Sequence, residues 1–200
     1  LTKKTINPDS VALDFLVKIV KERNAVLTNT PTGGLLCWQS VKPGNPVGLL
    51  HQENIPVIKS KFSSQDYYSE VTGIGNTRKK QKNEDPYTEK NPFLQTIRRP
   101  LVFKVQNTED GGAETSAKAR LGRMFANMAV YNVEGLASWY IPDGSKVWER
   151  NTTVEVYAPN AMIYTEYEFL IRTVVFKENR NGRTTDLELA LPGAFSGEIP

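Results

Sequence analysis

The sequence has 200 residues, of which 39% are hydrophobic and 24% are charged, and its formal net charge is +3. This composition is typical of a globular protein with one domain or two small ones, and so weak a net charge does not by itself indicate nucleic-acid binding. No apolar run is long enough to span a bilayer, no signal peptide is recognisable, and the single cysteine, Cys37, excludes an internal disulfide and a cysteine-based zinc site.

The first half of the chain predicts one helix and a set of short strands. Apolar side chains recur at helical spacing after Asn7, which can cap, and they predict a helix over 7–24. Strands are predicted next at 25–28, 35–40, 57–63, 67–74 and 99–106. The first two of these strands form a hairpin around a glycine-containing turn. The polar and highly charged stretch 76–91 predicts a long exposed loop.

The second half predicts another helix, followed by strands only. Ala117, Leu121 and Met124 fall on one stripe of a helix predicted over 113–131. Strands are predicted near 133–140, 146–149, 153–158, 161–175 and 184–191. Short strands at this spacing, with turn residues between them, indicate a small barrel or sandwich.

The last two strands predict a hairpin with a defined register. Asn181-Gly182 between two apolar segments is the strongest short hairpin signal, because a type I′ turn needs positive φ at both central residues. Centred on that turn, the hairpin places Lys177 opposite Asp186 on one face and apolar side chains together on the other. A slip of one residue would mix the two faces.

These elements predict an α+β fold, in which a small α/β subdomain with two helices is joined to a C-terminal antiparallel β-barrel-like module. The α+β subdomain is expected to cover residues 1–110 and to carry the exposed loop 76–91. A bridging helix is expected over 111–132. The barrel-like module is expected over 133–200.

No catalytic constellation is recognisable. His51, the one histidine, lies near no nucleophile motif, and a single histidine and cysteine predict no metal site. "TGIGNT" at 72–77 lacks the third glycine of a dinucleotide-binding loop, so its glycines are expected to end or bulge a strand. Glu166 and Glu168 could form an acid–base pair, but a solvated strand face is the simpler interpretation. The mixed charges of 76–91 indicate solubility, with a DNA contact as the alternative.

Aromatic side chains are concentrated in the last third of the chain. In a small β module such residues form the core, and amphipathic aromatics are also enriched at protein–protein interfaces. The candidate interface residues are Trp139, Trp148, Tyr157 and Tyr164. With no catalytic group and no cofactor motif, the sequence predicts a structural or binding module and not an enzyme.

Four motifs follow one another in the last third: "VWERNTTVEV" at 147–156, "LIRTVVF" at 170–176, "TDLEL" at 185–189 and "PGAF" at 192–195. In order and spacing they resemble the C-terminal region of Mu-type phage tail or baseplate hub proteins (the prophage tail gpP-like family). Upstream, 32–39 resembles the hairpin of that family and 52–75 its strand pair, although "QEN" stands where the family prefers glycine before asparagine. The family members are longer, and the chain does not begin with methionine, so we expect a C-terminal half or a truncated form.

The resemblance implies a structural baseplate hub subunit of a contractile phage or prophage tail, which joins the tail tube to the central spike and lines the DNA channel. It implies a homotrimer when full length, with the tail spike protein and the tail tube or tube-initiator protein as partners. DNA would pass through the channel without sequence-specific binding. No catalysis, cofactor or membrane anchor is implied, and the expected location is the virion, after assembly in the host cytoplasm.

Two alternatives remain open at this stage. The first is a carbohydrate- or protein-binding β module without an assembly role, based on Trp139, Trp148 and Tyr157. The second is a cell-wall hydrolase that uses Glu166 and Glu168, for which the sequence shows no helical catalytic domain.

Overall fold

The computed structural model describes residues 11–22, 25–30, 33–38, 44–75, 86–105, 112–180 and 182–192. Its helices are α1 (Ala12–Glu22) and α2 (Gly112–Met128). Its strands are β1 (Val26–Asn29), β2 (Leu35–Trp38), β3 (Leu49–His51), β4 (Val57–Phe62), β5 (Glu70–Ile74), β6 (Tyr87–Lys90), β7 (Pro100–Lys104), β8 (Ala129–Leu136), β9 (Thr153–Ala158), β10 (Ile163–Asn179) and β11 (Gly182–Ala190). The predicted α+β class is confirmed.

The largest sheet has six strands in the order β3-β9-β10-β11-β8-β4. All of its pairs are antiparallel except β3–β9. Alternate side chains of β9 and β11 point inward and are fully buried, among them Val154, Val156, Leu187 and Leu189. This alternation has the period of two that a strand with one buried face requires, and it places the main core on the inner face of the sheet.

The six-stranded sheet is strongly curled. Its two edge strands, β3 and β4, follow one another in the chain and are joined only by residues 52–56, which include a 3-10 turn. In a flat sheet six strands wide the edges would lie about 24 Å apart, and five residues reach at most about 20 Å even when fully extended. The edges are therefore brought together by curvature. The predicted barrel is nevertheless corrected to an open sheet, because no ladder joins β3 to β4 in the described ranges.

A second, smaller unit consists of a three-stranded sheet in the order β6-β5-β7 with α2 packed on one face. Val71 of β5 and Leu121 and Phe125 of α2 are almost completely buried between the two layers. The stripe predicted for this helix is confirmed. Met128, at the end of α2, packs instead against the core of the six-stranded sheet, so the helix touches both cores.

Strands that follow one another in the chain do not always belong to the same sheet. The strands predicted at 57–63 and 67–74 do not pair with each other, because β4 pairs with β8 whereas β5 pairs with β6 and β7. The six-stranded sheet thus takes β3 and β4 from the N-terminal half. The division of the chain at residues 110 and 132 stays a prediction.

Two smaller predictions are corrected. Residues 146–149 form no strand, and this part of the chain contributes only an isolated bridge between Tyr140 and Val147. The loop expected over 76–91 ends early, because its last residues form β6. Residues 76–85 lie outside the described ranges, as do the cap proposed at Asn7 and most of the "PGAF" motif.

The terminal hairpin is present, but its register differs from the prediction by two residues. Lys177 lies opposite Thr184, not opposite Asp186. The Lys177–Asp186 ion pair still forms, across a diagonal. Since side chains alternate along a strand, a slip of two keeps every residue on its face, so the charge and apolar pattern fits both registers equally. Asn181 lies outside the described residues.

The first helix and hairpin stand at the start of the described chain. β1 and β2 pair as predicted, with Leu27 opposite Cys37. Arg150 donates a hydrogen bond to the backbone carbonyl of Asn29, which ties this hairpin to the larger sheet. Neither of the two helices, as far as they are described, is long and apolar enough to cross a membrane.

Candidate interface site

Trp139 forms a cluster at the tip of the β10–β11 hairpin. Its indole Nε1 donates a hydrogen bond to the carbonyl of Lys177 at 3.1 Å. The Arg183 guanidinium lies 4.6 Å from the centre of the indole ring, and the Phe176 ring lies 5.7 Å from it. Phe176 keeps 42% of its surface exposed. We call Trp139, Phe176 and Arg183 the tip cluster. It presents an aromatic surface at one end of the long hairpin, beside the ion pair of Arg183 with Glu178.

The other three predicted interface residues do not form one site. Trp148 is 3% exposed in the main core, so its assignment as a surface contact is corrected. Tyr157 lies half-buried on the outer face of β9, where its ring meets that of His51 edge-on at 5.9 Å. Tyr164 is 71% exposed and belongs to a different feature, a groove beside β10.

This groove has a volume of about 320 Å³ and is lined by Tyr131, Met162, Ile163, Tyr164, Thr165, Tyr167, Phe169 and Leu191. We call it the aromatic groove. It arises from a bulge in β10: Ile163 pairs with Ala158 and Tyr167 with Val156, so residues 164–166 lie opposite a single residue of β9. A bulge of this kind turns side chains away from their regular positions.

The floor of the aromatic groove is a run of contacting rings, of which two pairs meet edge-on and the third pair, Tyr167 with Phe169, is tilted. Tyr131 lies 5.0 Å from Phe169 and 5.8 Å from Phe62, measured between ring centres, and Tyr167 lies 5.0 Å from Phe169. Burial, together with the neighbouring Tyr167 hydroxyl, raises the pKa of Tyr131, and burial raises the pKa of Tyr167. Both phenols therefore stay protonated at neutral pH and are available as hydrogen-bond donors.

Sequence reasoning did not identify Tyr131 or Met162 as functional residues. Tyr131 shows only the alternation of a buried strand, and Met162 follows a Pro-Asn turn that predicts nothing about its surroundings. They meet because β8 and the start of β10 converge at one end of the curled sheet, which is a contact between distant parts of the sequence.

The two carboxylates considered as an acid–base pair have different environments. Both carboxylate oxygens of Glu168 accept a hydrogen bond from the backbone N–H of Gly44 at 2.9 Å, which fixes the segment leading into β3. Glu166 is exposed in the bulge. Within the described ranges, no three histidine, cysteine, aspartate or glutamate side chains lie close enough to hold a metal ion.

Paired charges cross the outer face of the six-stranded sheet. Lys59 on β4 bonds to Glu134 on β8 at 2.7 Å, and Lys177 on β10 pairs with Asp186 on β11. Asp186 also accepts a hydrogen bond from Gly135 N at 2.9 Å. Gly135 has a φ of +79°, as a glycine in a bulge requires. The Asp186 carboxylate thus holds the β8 bulge and the hairpin together.

The pKa of Asp186 reflects these contacts. Partial burial of the carboxyl opposes its ionisation, but the hydrogen bonds from Lys177 and Gly135 outweigh burial and hold the pKa below its ordinary value. The substitution Asp186→Asn keeps the shape of the side chain and removes its charge. We therefore expect the free energy of unfolding at pH 7 to fall by about 1 kcal/mol. Because the folded pKa is depressed, this stabilisation is present above the unfolded pKa of about 3.9 and is lost as the pH falls through the folded pKa.

Urea unfolding of wild type and Asp186→Asn between pH 7 and pH 3 measures this effect, and the two stabilities should converge toward acid. Glu178→Gln is the matched control, because its ion pair with Arg183 is more than half exposed on both sides. The control should lose no more than about 0.5 kcal/mol. A gap for Asp186→Asn that stays constant down to pH 3 would contradict the assignment.

No protein-family model matches the sequence, and no curated protein matches it. Among solved structures, the 43 kDa tail protein of prophage MuSo2 from Shewanella oneidensis is 22% identical with a TM-score of 0.77, over 98% of this chain. The tail protein from Neisseria meningitidis MC58 is 20% identical with a TM-score of 0.80, again over 98%. The chain has the fold of prophage tail proteins.

This tail-protein fold extends over the helix–hairpin start and both sheets, because the matches cover nearly the whole chain. The chain spans 56% of the Shewanella protein and 60% of the Neisseria protein, so it corresponds to little more than half of each. A chain from the virion of a native gene transfer agent particle is a more distant match, with 10% identity, a TM-score of 0.56, and coverage of 94% of this chain and 41% of that chain.

Proposed function

We propose that this chain is part of a structural baseplate hub subunit in a contractile phage or prophage tail, which joins the tail tube to the central spike and surrounds a channel for DNA. The observation that carries the proposal is the tail-protein fold over 98% of the chain. The subunit is proposed to be non-enzymatic, to form a homotrimer when full length, and to reside in the virion after assembly in the host cytoplasm. Its partners would be the spike protein and the tube or tube-initiator protein.

The surface of the six-stranded sheet is compatible with a wall that DNA passes without being read. Among the described residues, Lys59 pairs with Glu134 and Lys177 pairs with Asp186 on this sheet, and each pair balances a positive charge locally. Proteins that bind DNA sequence-specifically need contacts to the bases and a basic face, and the paired charges supply neither. The proposed organisation keeps the division at residues 110 and 132, with α2 as the bridge between an α+β subdomain and the hub module.

The absolute mass in solution tests the proposal most directly. Light scattering coupled to gel filtration would be applied to this chain and to the longer gene product that contains it. The proposal expects the longer protein to be a trimer. It also expects this trimer to bind the spike protein or the tube protein of the same particle. A full-length protein that stays monomeric at high concentration and binds neither would contradict it.

The tip cluster supplies a sharper test of how such subunits meet. Phe176→Ser is expected to weaken self-association of the full-length protein at least about tenfold, because exposed aromatics are the side chains that most often carry interface energy. Val175→Ser is the matched control, since Val175 is the adjacent residue of the same strand, is 45% exposed and belongs to the opposite face. Sedimentation equilibrium of both variants gives the comparison. Equal weakening by both would show that the tip cluster is not the contact.

A carbohydrate- or protein-binding module without an assembly role is the second candidate. It is favoured by one observation, the exposed Tyr164 beside a formed groove. If the full-length protein is a monomer but binds a ligand at this groove, the second candidate replaces the first.

A further inference from the structure

An open pocket of about 470 Å³ lies at one end of the three-stranded sheet, on the face that α2 does not cover. Glu70 of β5 is paired with Lys90 of β6, and both line the pocket. Their side chains point away from α2, because Val71, the next residue of β5, is buried beneath that helix. The loop 91–99, which joins β6 to β7, forms the rest of the wall. We call this cavity the loop pocket.

The loop is braced from below, although it forms no helix or strand. Asn91 is 2% exposed. Its side-chain amide donates a hydrogen bond to the carbonyl of Tyr68 at 3.0 Å, and its side-chain oxygen accepts one from the backbone N–H of Phe93 at 3.0 Å. At the other end of the loop, the Arg99 guanidinium donates to the carbonyl of Ser64 at 2.7 Å. The wall of the pocket is therefore formed before a ligand arrives, so that little conformational entropy is lost on binding.

One wall of the loop pocket is apolar. It is formed by Pro92, Leu94 and Ile97, and Ile97 keeps 61% of its surface exposed. Ile97 packs in neither of the two cores. Because the loop is braced, this side chain stays on the surface, where it leaves apolar area in contact with water. A partner that covers this area gains the free energy of burying it.

The opposite wall carries two positive charges and one negative charge. The side chain of Arg98 is 88% exposed, and its Nε atom lies 3.8 Å from a carboxylate oxygen of Glu70, which is a loose contact. The Lys90 ammonium forms no ion pair with any carboxylate in the described ranges. The wall thus has one positive charge more than Glu70 balances. A ligand carboxylate placed there can accept charge-assisted hydrogen bonds from both cations.

We propose that the loop pocket binds a segment of a partner protein in which an apolar side chain stands next to a carboxylate. The apolar side chain would lie against Leu94 and Ile97, and the carboxylate would accept hydrogen bonds from Lys90 and Arg98. The site consists of residues of this chain alone, so it does not depend on the hub assignment. Peptide binding and oligomeric state are measured separately, which keeps the failure of one proposal distinct from the failure of the other.

The test is a titration of the whole chain with three tetrapeptides that are acetylated and amidated at their ends, followed by NMR shifts of the backbone amides. Asp-Phe-Asp-Leu carries both features, Lys-Phe-Lys-Leu reverses the charge, and Asp-Ser-Asp-Ser removes the apolar side chains. Only the first should shift the resonances of residues 69–70 and 90–98 at millimolar concentration. Its dissociation constant should rise with added salt, because exposed charges are screened.

Single substitutions then separate the two walls. Arg98→Gln and Lys90→Gln should each raise the dissociation constant of Asp-Phe-Asp-Leu about threefold, and Ile97→Ser should raise it about fivefold. All three side chains are exposed, so the melting temperature should not change. Lys104→Gln and Val102→Ser are the matched controls, because both side chains are exposed further along β7, outside the pocket, and they should leave the constant unchanged.

The proposal is overturned if Asp-Phe-Asp-Leu at millimolar concentration shifts no resonance at 69–70 and 90–98, or if Lys-Phe-Lys-Leu binds equally well. It is also overturned if Arg98→Gln binds as wild type does. Inorganic phosphate that shifts the same resonances at the same concentration would show a general anion site instead. Binding to phosphatidylserine vesicles without any shift by the peptide would show a membrane contact instead.

Discussion

Phe125→Ala is expected to lower the free energy of unfolding by about 3–5 kcal/mol. Phe125 is 1% exposed and lies in the core between α2 and the three-stranded sheet. Its ring meets those of Tyr67 at 5.9 Å and Phe93 at 5.6 Å, both edge-on. Truncation removes the buried apolar surface and both ring contacts at once.

The core around Phe125 is too small to refill the cavity. Its other fully buried members include Val71, Ala117 and Leu121. The alanine side chain is too short to fill the cavity that the missing ring would leave. The cost of a large-to-small change depends on how far the surroundings can collapse, and here α2 is fixed by a backbone contact with β5. We therefore expect the loss to fall in the upper part of the range.

Urea unfolding combined with amide hydrogen exchange would measure this effect. The amides of β5 and β7 should lose more protection than those of β9, because the substitution lies in the smaller core. Phe93→Ala is the matched control, since it removes the partner ring but is itself 62% exposed, and it should cost about 1 kcal/mol. If the two substitutions cost the same, Phe125 does not hold this core.

The elements of this fold were largely predictable, because they are set by local patterns. The stripe Ala117, Leu121 and Met124 defines α2, and the alternation of Val154 with Val156 defines β9. Both patterns follow from the geometry of an isolated helix or strand and need no knowledge of the partner. Local signals of this kind survive in any tertiary context that buries one face.

The pairing of strands was less predictable. The alternation that places Lys177 and Asp186 on one face holds equally for registers that differ by two residues. The two registers differ only in which residues form the turn, and the alternation of the strands does not indicate which residues those are. Likewise nothing local shows that β4 and β5, which are separated by only seven residues, belong to different sheets. That choice is made by β8 and β7, which lie much later in the chain.

The amino-acid composition indicated which kind of residue could form an interface, but only the folded structure shows where these residues lie. An aromatic-rich last third predicted interface residues. Tyr164 is exposed and Trp139 is half-buried at the hairpin tip, whereas Trp148 fills the core. Amphipathic aromatics serve both purposes, so composition cannot separate the two. The aromatic groove depends on a bulge in β10, and a bulge has no signal in the pattern "IYTEYEF".

Gly73→Ala is expected to lower the free energy of unfolding by about 1–3 kcal/mol, and Gly73→Val by more. A Cβ at Gly73 would lie 2.9 Å from the carbonyl oxygen of Ala113 and 3.2 Å from a methyl group of Val105. The nearer atom is backbone in the first turn of α2, so relief requires the helix to move away from β5. The sequence suggested that the glycines of 72–77 end or bulge a strand. Gly75 does follow the end of β5, but Gly73 lies within β5, where it provides the space for α2 to approach closely.

Gly48→Ala is the matched control for this close approach. A Cβ at Gly48 would lie 3.3 Å from the ring of Pro142, a side chain that can give way by a few tenths of an ångström, so the loss should stay below about 1 kcal/mol. Melting temperatures of Gly73→Ala, Gly73→Val and Gly48→Ala give the series. Because the contact at Gly73 is steric, stability should fall as the side chain grows. A Gly73→Val variant as stable as wild type would mean that α2 and β5 are separated by more than the structure shows.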